Sequence, residues 1–436
     1  MQIAIHTLGC KVNQVETAAL ESELVRRGHR IVPFEETADA YIVNTCTVTA
    51  VSDKKSRQMI RQAQKRNPEA VVAVCGCYAQ TAPEKVRELG VDLIAGTSDR
   101  MGFLGRLESA CAEKKRSGGP RSPLCEVEDI FACRTFEPLE SGGLEGRTRA
   151  MLKVEDGCVN FCSYCIIPYA RGPVRSLPLE KAESEAARLA GEGYRELVLT
   201  GIEISSWGKE FGDGRSLIDL VEALCAAAPD CRIRLGSMEP RTVTEDFCRR
   251  AAAHPNLCPH FHLSLQSGSD ATLKRMNRKY DTARYYDSVA LLRRYFEYPG
   301  ITTDLIVGFP GETEEEFEET LAFLRKCAFT SMHIFPYSRR SGTPAYEMAD
   351  QVPRSVKEVR ARRAAETAIA LKRVWLESWV GKSLPVLFEE EKGGLWRGHA
   401  PNYAEVFAAG DKLHNRERQV VITGVQGDAL TGRVLA

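Results

Sequence analysis

Short apolar runs alternate with stretches of helical periodicity through residues 1–112. Residues 3–8 read as a strand that ends at Gly9-Cys10. Residues 15–27 follow as a helix stopped by Gly28. A strand at 40–45 ends at Cys46, and 53–66 is helical. A strand at 70–74 ends at Cys75-Gly76-Cys77, and 91–96 is a further strand. This order predicts an open parallel sheet with helices on both faces. The alternation resumes from 149 to about 340. Strands are expected at 150–154, 197–199, 233–235, 262–265, 304–307 and 333–336, with helices at 179–190, 217–227, 283–295 and 314–326 between them. Six βα units predict a partial (β/α)6 barrel, with its active face at the carboxyl ends of the strands. A long basic helix at 353–379 precedes five short strands at 384–389, 395–399, 404–408, 418–422 and 429–434, the pattern of a small β-barrel. The α/β chain thus divides into 1–112, a linker at 113–143, a barrel domain at 144–375 and a small β-barrel at 376–436. The linker carries the turn-rich Glu113-Lys-Lys-Arg-Ser-Gly-Gly-Pro-Arg-Ser-Pro123, and Ser141-Gly-Gly-Leu-Glu-Gly146 lies just before the strand at 150–154.

Chemistry gathers where these strands end. Cys158-Val-Asn-Phe-Cys162-Ser-Tyr-Cys165 places three thiols in a loop after the strand at 150–154 and the turn Glu155-Asp156-Gly157. Thiolates are soft ligands that suit iron–sulfur or zinc. A structural zinc takes four ligands, and no fourth Cys or His is near. A cubane on three thiolates leaves one iron open. Cys10, Cys46 and Cys75 or Cys77 each follow a strand directly, so a parallel sheet brings them to one edge; the bland alternative is that cysteine is common in buried strands. The carboxyl ends of the central strands carry Thr200-Gly201-Ile-Glu203, Ser264-Leu-Gln266 and Gly308-Phe-Pro-Gly-Glu312.

Composition changes the picture little. The 436 residues carry 59 Lys plus Arg against 59 Asp plus Glu, so net charge neither indicates nor excludes nucleic acid. Fifteen cysteines, an odd and unevenly spaced set, point to a reducing compartment with metal or catalytic thiols. No apolar run approaches the ~18 residues of a membrane span, and a cytoplasmic protein without a membrane partner is expected. Cations at Lys54, Lys55, Arg57, Arg61, Lys65 and Arg66 suit either a solvated helix face or a phosphate-contacting surface. The basic stretch Leu273-Lys-Arg-Met-Asn-Arg-Lys279 serves substrate or fold.

The cluster loop, with its continuation Ile166-Ile-Pro-Tyr-Ala-Arg-Gly-Pro-Val-Arg-Ser176, resembles that of radical S-adenosylmethionine (SAM) methylthiotransferases. Thr7-Leu-Gly-Cys-Lys-Val-Asn13, Asn44-Thr-Cys-Thr-Val48 and Gly76-Cys-Tyr-Ala-Gln80 resemble that family's three N-terminal cluster motifs. Trp396-Arg-Gly-His-Ala-Pro-Asn-Tyr-Ala-Glu-Val406 resembles its RNA-binding TRAM domain. The resemblance implies two four-iron four-sulfur (4Fe-4S) clusters. Cys158, Cys162 and Cys165 would hold the radical cluster, whose electron splits SAM. Cys10, Cys46 and Cys77 would hold an auxiliary cluster tied to sulfur delivery, with Cys75 an extra thiol. Thr200, Gly201, Ser264, Gln266 and Gly308 would line SAM. Arg397, His399, Asn402 and Tyr403 would face RNA. The implied partners are the anticodon loop of tRNA, an electron donor such as a flavodoxin or ferredoxin, and an unidentified sulfur donor. The branch most resembled puts a methylthio group on C2 of N6-threonylcarbamoyladenosine at position 37 of tRNA. The alternatives are the isopentenyladenosine branch, the branch acting on a ribosomal-protein aspartate, and a non-catalytic zinc RNA-binding protein. Glu203, where Asn or His is more usual, and Leu177, where Arg is common, depart from the family pattern.

Overall fold

The computed structural model describes residues 1–117, 124–140 and 147–435. Six strands form the N-terminal sheet: β1 (Gln2–Thr7), β2 (Arg30–Val32), β3 (Ala40–Thr45), β4 (Val71–Gly76), β5 (Leu93–Ala95) and β6 (Leu124–Glu126). They pair in parallel in the order β2-β1-β3-β4-β5-β6. β3 and β4 are buried throughout, and the strand period sends their side chains to two cores. Tyr41, Val43, Val72 and Val74 pack on one face. Ala40, Ile42, Val71, Ala73 and Cys75 pack on the other, against Leu20, Leu24 and Leu104. Burying each such Leu or Val contributes about 1.5–3 kcal/mol, which is why these runs are continuously apolar. The stretch 113–143, expected as a linker, is only partly one: the helix Arg100–Ser117 runs into it, and β6 within it extends the sheet. Residues 118–123 and the Gly-rich 141–146 lie outside the described residues.

The central domain contains β7 (Arg149–Lys153), β8 (Glu155–Asp156), β9 (Arg175–Ser176), β10 (Glu196–Thr200), β11 (Arg232–Arg234), β12 (Ser237–Met238), β13 (His260–Leu263), β14 (Gly300–Val307) and β15 (Ser331–Pro336). Two parallel sheets, β7-β10-β11 and β12-β13-β14-β15, make a six-unit partial barrel. The third barrel strand is broken at Leu235-Gly236. A Cβ on Gly236 would stand 2.6 Å from the Leu199 carbonyl oxygen, so the break admits no side chain there. Outward residues such as Leu152, Leu197, Leu199, Ile233, Phe261, Leu263 and Leu305 form one core with the surrounding helices. The helix Arg354–Glu377 spends much of its charge on the barrel. Buried Arg360 pairs with Glu312 at 2.7 Å and Glu314 at 3.2 Å, and Lys357 Nζ donates to the Tyr337 carbonyl at 3.0 Å.

β16 (Ser383–Lys392), β17 (Leu395–His399), β18 (Glu405–Ala409), β19 (Glu417–Gln426) and β20 (Ala429–Val434) close a small barrel in the order β16-β17-β18-β20-β19. It docks on the amino end of the central barrel, and this overturns one expectation. His399 and Asn402 are buried, not presented to RNA. Tyr403 is stacked between His260 and His399, with ring centroids 4.7 and 4.9 Å away, and Arg234 lies 4.7 Å from its centre. Arg232 and Arg234 each donate at 2.8 Å to the carbonyls of His399 and Pro401. Arg397 is held by Glu390 and Glu405. The central barrel is polar at this end (Glu196, Arg232, Arg234, His260), and a polar loop is what satisfies it. No helix among the described residues is long and apolar enough to cross a membrane.

Candidate active site

Cys158, Cys162 and Cys165 occupy a loop held from below and behind. Gly157 has φ +93°, and a Cβ there would meet the Pro173 carbonyl oxygen at 2.0 Å. The two-residue pair β8–β9 closes the base of the loop, and Cys158 N–H donates to the Gly172 carbonyl at 3.0 Å. The basic stretch 273–279 is the clasp. Ser163 donates from N to the Met276 carbonyl (3.0 Å) and from Oγ to the Arg275 carbonyl (2.8 Å). Asn277 Nδ2 donates to the Phe161 carbonyl at 2.8 Å, and half-buried Arg278 donates to Cys162 Sγ at 3.1 Å. The structure therefore gives that stretch a role in the fold of the loop, a choice the sequence left open.

Cys10, Cys46 and Cys77 follow β1, β3 and β4, three adjacent strands whose carboxyl ends are level: Thr7 is opposite Asn44, and Thr45 opposite Gly76. Close approach requires glycine twice. A Cβ on Gly9 (φ +109°) would lie 2.9 Å from Cys46 Cβ, and one on Gly76 (φ +94°) 2.5 Å from Asn44 Oδ1. Asn13 laces the edge, its Nδ2 donating to the carbonyls of Leu8 (2.8 Å) and Thr45 (3.0 Å). Cys10 and Cys46 bear electrostatically on Cys77, as expected of neighbours. Cys75 instead points into the apolar layer with Ile42 and Leu20.

A buried ion network joins the two triads. Glu16 on the first helix, fully buried, takes Lys153 (2.9 Å), Arg171 (2.5 Å) and Arg100 (2.5 Å). Asp156, next to the cluster loop, takes Lys153 (2.7 Å), Arg171 (3.2 Å) and Arg175 (3.7 Å). Burial pushes both carboxyls up, but the cations outweigh it and hold Glu16 well below the usual range and Asp156 at about 2. Arg171, with none of its side chain exposed, also donates from Nε to Cys77 Sγ at 3.3 Å. Across the site Arg340 pairs with Asp53 at 2.7 Å and donates to the Thr47 carbonyl at 3.0 Å, beside Cys46. The N-terminal domain thus straddles the open edge of the partial barrel, tied near β7 on one side and after β15 on the other.

The thiols and this charge suit anionic iron–sulfur clusters. Among the described residues four buried cations (Arg100, Lys153, Arg171, Arg175) pair with two buried carboxylates, Glu16 and Asp156, and with Glu137 at the rim 3.0 Å from Arg100, while buried Glu155 forms an ion pair with none of them. A buried positive excess is costly unless an anion offsets it. Burial also pushes the thiols of Cys77 and Cys165 up to about 12 and that of Cys46 upward, so a bound metal must supply the charge that ionises them. Among the described residues no three His, Cys, Asp or Glu side chains are drawn together to hold one ion. A zinc site with Zn–S of about 2.3 Å needs thiolates about 3.8 Å apart; a cubane puts each on a different iron and spaces them wider.

Thr200 and Gly201 end β10 beside the loop base: Val154 N–H donates to the Thr200 carbonyl at 2.9 Å, and a Cβ on Gly201 would meet Glu155 Oε2 at 2.7 Å. Ser264 is linked to the loop through Arg278, which donates to its carbonyl at 3.4 Å while touching Cys162. Gln266 (φ +71°) pairs its backbone with β14. Gly308 (φ +70°) makes room for Lys357, 2.4 Å from a would-be Cβ, on the outer side of the strand, and its N–H is taken by Glu312. Glu203 caps the turn Ile204–Ser206, accepting from Ser205 N–H at 3.0 Å. Sequence reasoning missed Glu16, Glu155 and Arg171. Glu155 is fully buried, its carboxyl pushed well up by burial, and its Oε1 is without a partner. Only its place three residues before Cys158 could have drawn notice.

Residues 152–324 match the Radical SAM superfamily, and residues 2–96 match uncharacterized protein family UPF0004. The chain is 40% identical over 414 residues to the threonylcarbamoyladenosine tRNA methylthiotransferase MtaB of Bacillus subtilis (strain 168), covering 94% of this chain and 90% of that protein. It is 34% identical over 441 residues to the tRNA-2-methylthio-N(6)-dimethylallyladenosine synthase of Pelotomaculum thermopropionicum, covering 98% and 96%. In fold it is similar to the radical S-adenosylmethionine methyltransferase TsrM from Kitasatospora setae, whose structure has cobalamin and a 4Fe-4S cluster bound: TM-score 0.56, 17% identity, 79% of this chain and 76% of that one. A match of this identity along nearly the whole chain, on a molecule with a three-thiol loop at the carboxyl end of a partial barrel, is decisive: the chain belongs to the radical SAM methylthiotransferase family.

Proposed function

We propose that this protein replaces the C2 hydrogen of N6-threonylcarbamoyladenosine at position 37 of tRNA with a methylthio group. The observation that carries this reading is the pair of three-thiol sites joined by one buried ion network, on a chain more like the MtaB protein (40%) than the dimethylallyladenosine synthase (34%). Cys158, Cys162 and Cys165 would hold the radical cluster, and Cys10, Cys46 and Cys77 a second 4Fe-4S cluster. When bound, these groups supply the electron that cleaves SAM and the sulfur to be transferred. The chain's own residues do the rest. Arg278 orients Cys162, while Thr200, Gly201, Ser264, Gln266 and the backbone at Gly308 line the rim where SAM would lie. The N-terminal domain, tied down by Arg340 and Arg171, screens the open edge of the barrel from water. The exposed cations Lys54, Lys55, Arg61 and Lys65 on the helix Ala50–Arg66 follow Cys46, where an anticodon stem would bring phosphate. The C-terminal barrel reads as a TRAM domain whose RNA contacts come from surfaces other than the docked loop. A flavodoxin or ferredoxin would supply electrons in the cytoplasm.

The test is mass spectrometry of tRNA nucleosides after anaerobic incubation of the reconstituted protein with SAM, a reductant and tRNA carrying threonylcarbamoyladenosine. A methylthio product on that nucleoside is expected. Product only on isopentenyladenosine, in a parallel sample whose tRNA carries it, would move the protein to the other branch. SAM cleavage with no modified nucleoside would indicate a protein acceptor.

A further inference from the structure

We propose that Arg171 is a positioning residue for the auxiliary cluster, acting through Cys77. Its guanidinium fixes that sulfur and raises the cluster's affinity for an electron. The inference rests on Cys77 being a cluster ligand. The side chain is fully buried, and its donors are all directed. Nε donates to Cys77 Sγ at 3.3 Å. Nη1 donates to Glu16 Oε1 at 2.5 Å and Asp156 Oδ2 at 3.2 Å. Nη2 donates to Asn13 Oδ1 at 2.6 Å and Glu16 Oε2 at 3.2 Å. Asn13 in turn holds the carbonyls of Leu8 and Thr45, the chain just before Cys10 and Cys46. Asp156 Oδ1 accepts the N–H of Gly157 at 2.9 Å, at the start of the radical loop. One guanidinium therefore orders all three approaches to the auxiliary thiols and the base of the other site.

Glu16 and Asn13 suffice to anchor a cation here, so anchoring alone does not need the contact with sulfur. A hydrogen bond and a positive charge at a ligating thiolate favour the more negative, reduced cluster and raise its potential. Lysine keeps the charge but has no planar fork, so it cannot serve Glu16, Asn13 and Cys77 together.

The experiment uses the full chain with Cys158, Cys162 and Cys165 changed to Ala, reconstituted with iron and sulfide, so that one cluster is read. Its reduction is followed by electron paramagnetic resonance during a redox titration. Arg171→Lys is expected to keep the iron and shift the midpoint downward by a tenfold or larger change in the reduction equilibrium, about 59 mV for one electron. Glu16→Gln removes a nearby negative charge without touching Cys77 and should shift the midpoint upward. Should Arg171→Lys fail to fold, the charge-balanced pair Arg171→Gln with Glu16→Gln takes its place, and a downward shift is again expected. An unchanged midpoint at full iron content overturns the inference. If Cys77→Ala in the same background retains its iron, it is the ligand assignment that fails.

Discussion

The two cysteine triads are assembled by opposite routes. Cys158, Cys162 and Cys165 are neighbours in sequence, and their loop has to be held open by outside groups: Gly157, the β8–β9 pair and the clasp 275–278. Cys10, Cys46 and Cys77 are far apart, and the sheet brings them together through the register of β1, β3 and β4. The first triad depends on local backbone detail, the second on the integrity of a whole domain. Local damage should therefore separate them cleanly. Changing Cys158, Cys162 and Cys165 to Ala is expected to remove one cluster's iron and take SAM cleavage below detection, with the other cluster intact. Changing Cys10, Cys46 and Cys77 to Ala is expected to remove the same amount of iron, preserve SAM cleavage and abolish methylthio product. Iron assay and 5′-deoxyadenosine release, measured side by side, check both. Loss of SAM cleavage in both variants would break the comparison.

The glycines sharpen it. A left-handed φ costs a non-glycine residue roughly 1–2 kcal/mol. At Gly157 the added Cβ also meets a carbonyl oxygen at 2.0 Å, so Gly157→Ala is expected to cost about 3 kcal/mol or more through backbone strain and to empty the radical site alone. Gly76→Ala meets Asn44 Oδ1 at 2.5 Å and the Thr45 backbone at 2.6 Å. It should lower the melting temperature of the N-terminal domain and empty the auxiliary site alone. Thermal melts with iron determination read both outcomes.

What the sequence revealed of these sites follows the same division. The parallel alternation and the position of each thiol past its strand are local signals, and both triads were legible from them. Edge strands of three residues such as β2 and β6, and the two-residue pair β8–β9, carry no usable period. Glu16 sits in a helical pattern full of polar residues and reads as surface; only the packing of two domains makes it buried. His399 and Asn402 read as an exposed RNA face because a lone small barrel would expose them, and the docking that buries them leaves no trace in 60 residues of strand pattern; Tyr403, packed between two histidines, still keeps 38% of its surface exposed. Cys75 and Cys77 were separable by motif, and the end of the strand gives the physical reason: Cys75 still lies within β4 and faces the apolar layer, whereas Gly76 (φ +94°) turns the chain and Cys77 opens the following helix. Cys75→Ser should leave iron content unchanged and cost about 1–3 kcal/mol for a hydroxyl buried among apolar groups, whereas Cys77→Ser should lose the cluster.

The smallest effect tests whether the clasp matters only to the local triad. Asn277 has φ +59° and donates from Nδ2 to the Phe161 carbonyl at 2.8 Å. Phe161 is itself left-handed at φ +46° and adjoins Cys162. Asn277→Gly keeps the backbone at ease and removes the side chain's hydrogen bonds, this one and the one its Oδ1 accepts from Lys279 Nζ at 2.7 Å, each worth about 0.5–1.5 kcal/mol and less at this exposed position. Asn277→Ala removes the same bonds and adds the left-handed cost of roughly 1 kcal/mol. Both are expected to loosen the radical loop, seen as faster loss of that cluster's iron to a chelator, with Ala worse than Gly and the auxiliary iron released at the wild-type rate. Equal acceleration at both sites would mean that the clasp supports the interface between the domains, and the two triads would then share one scaffold instead of two.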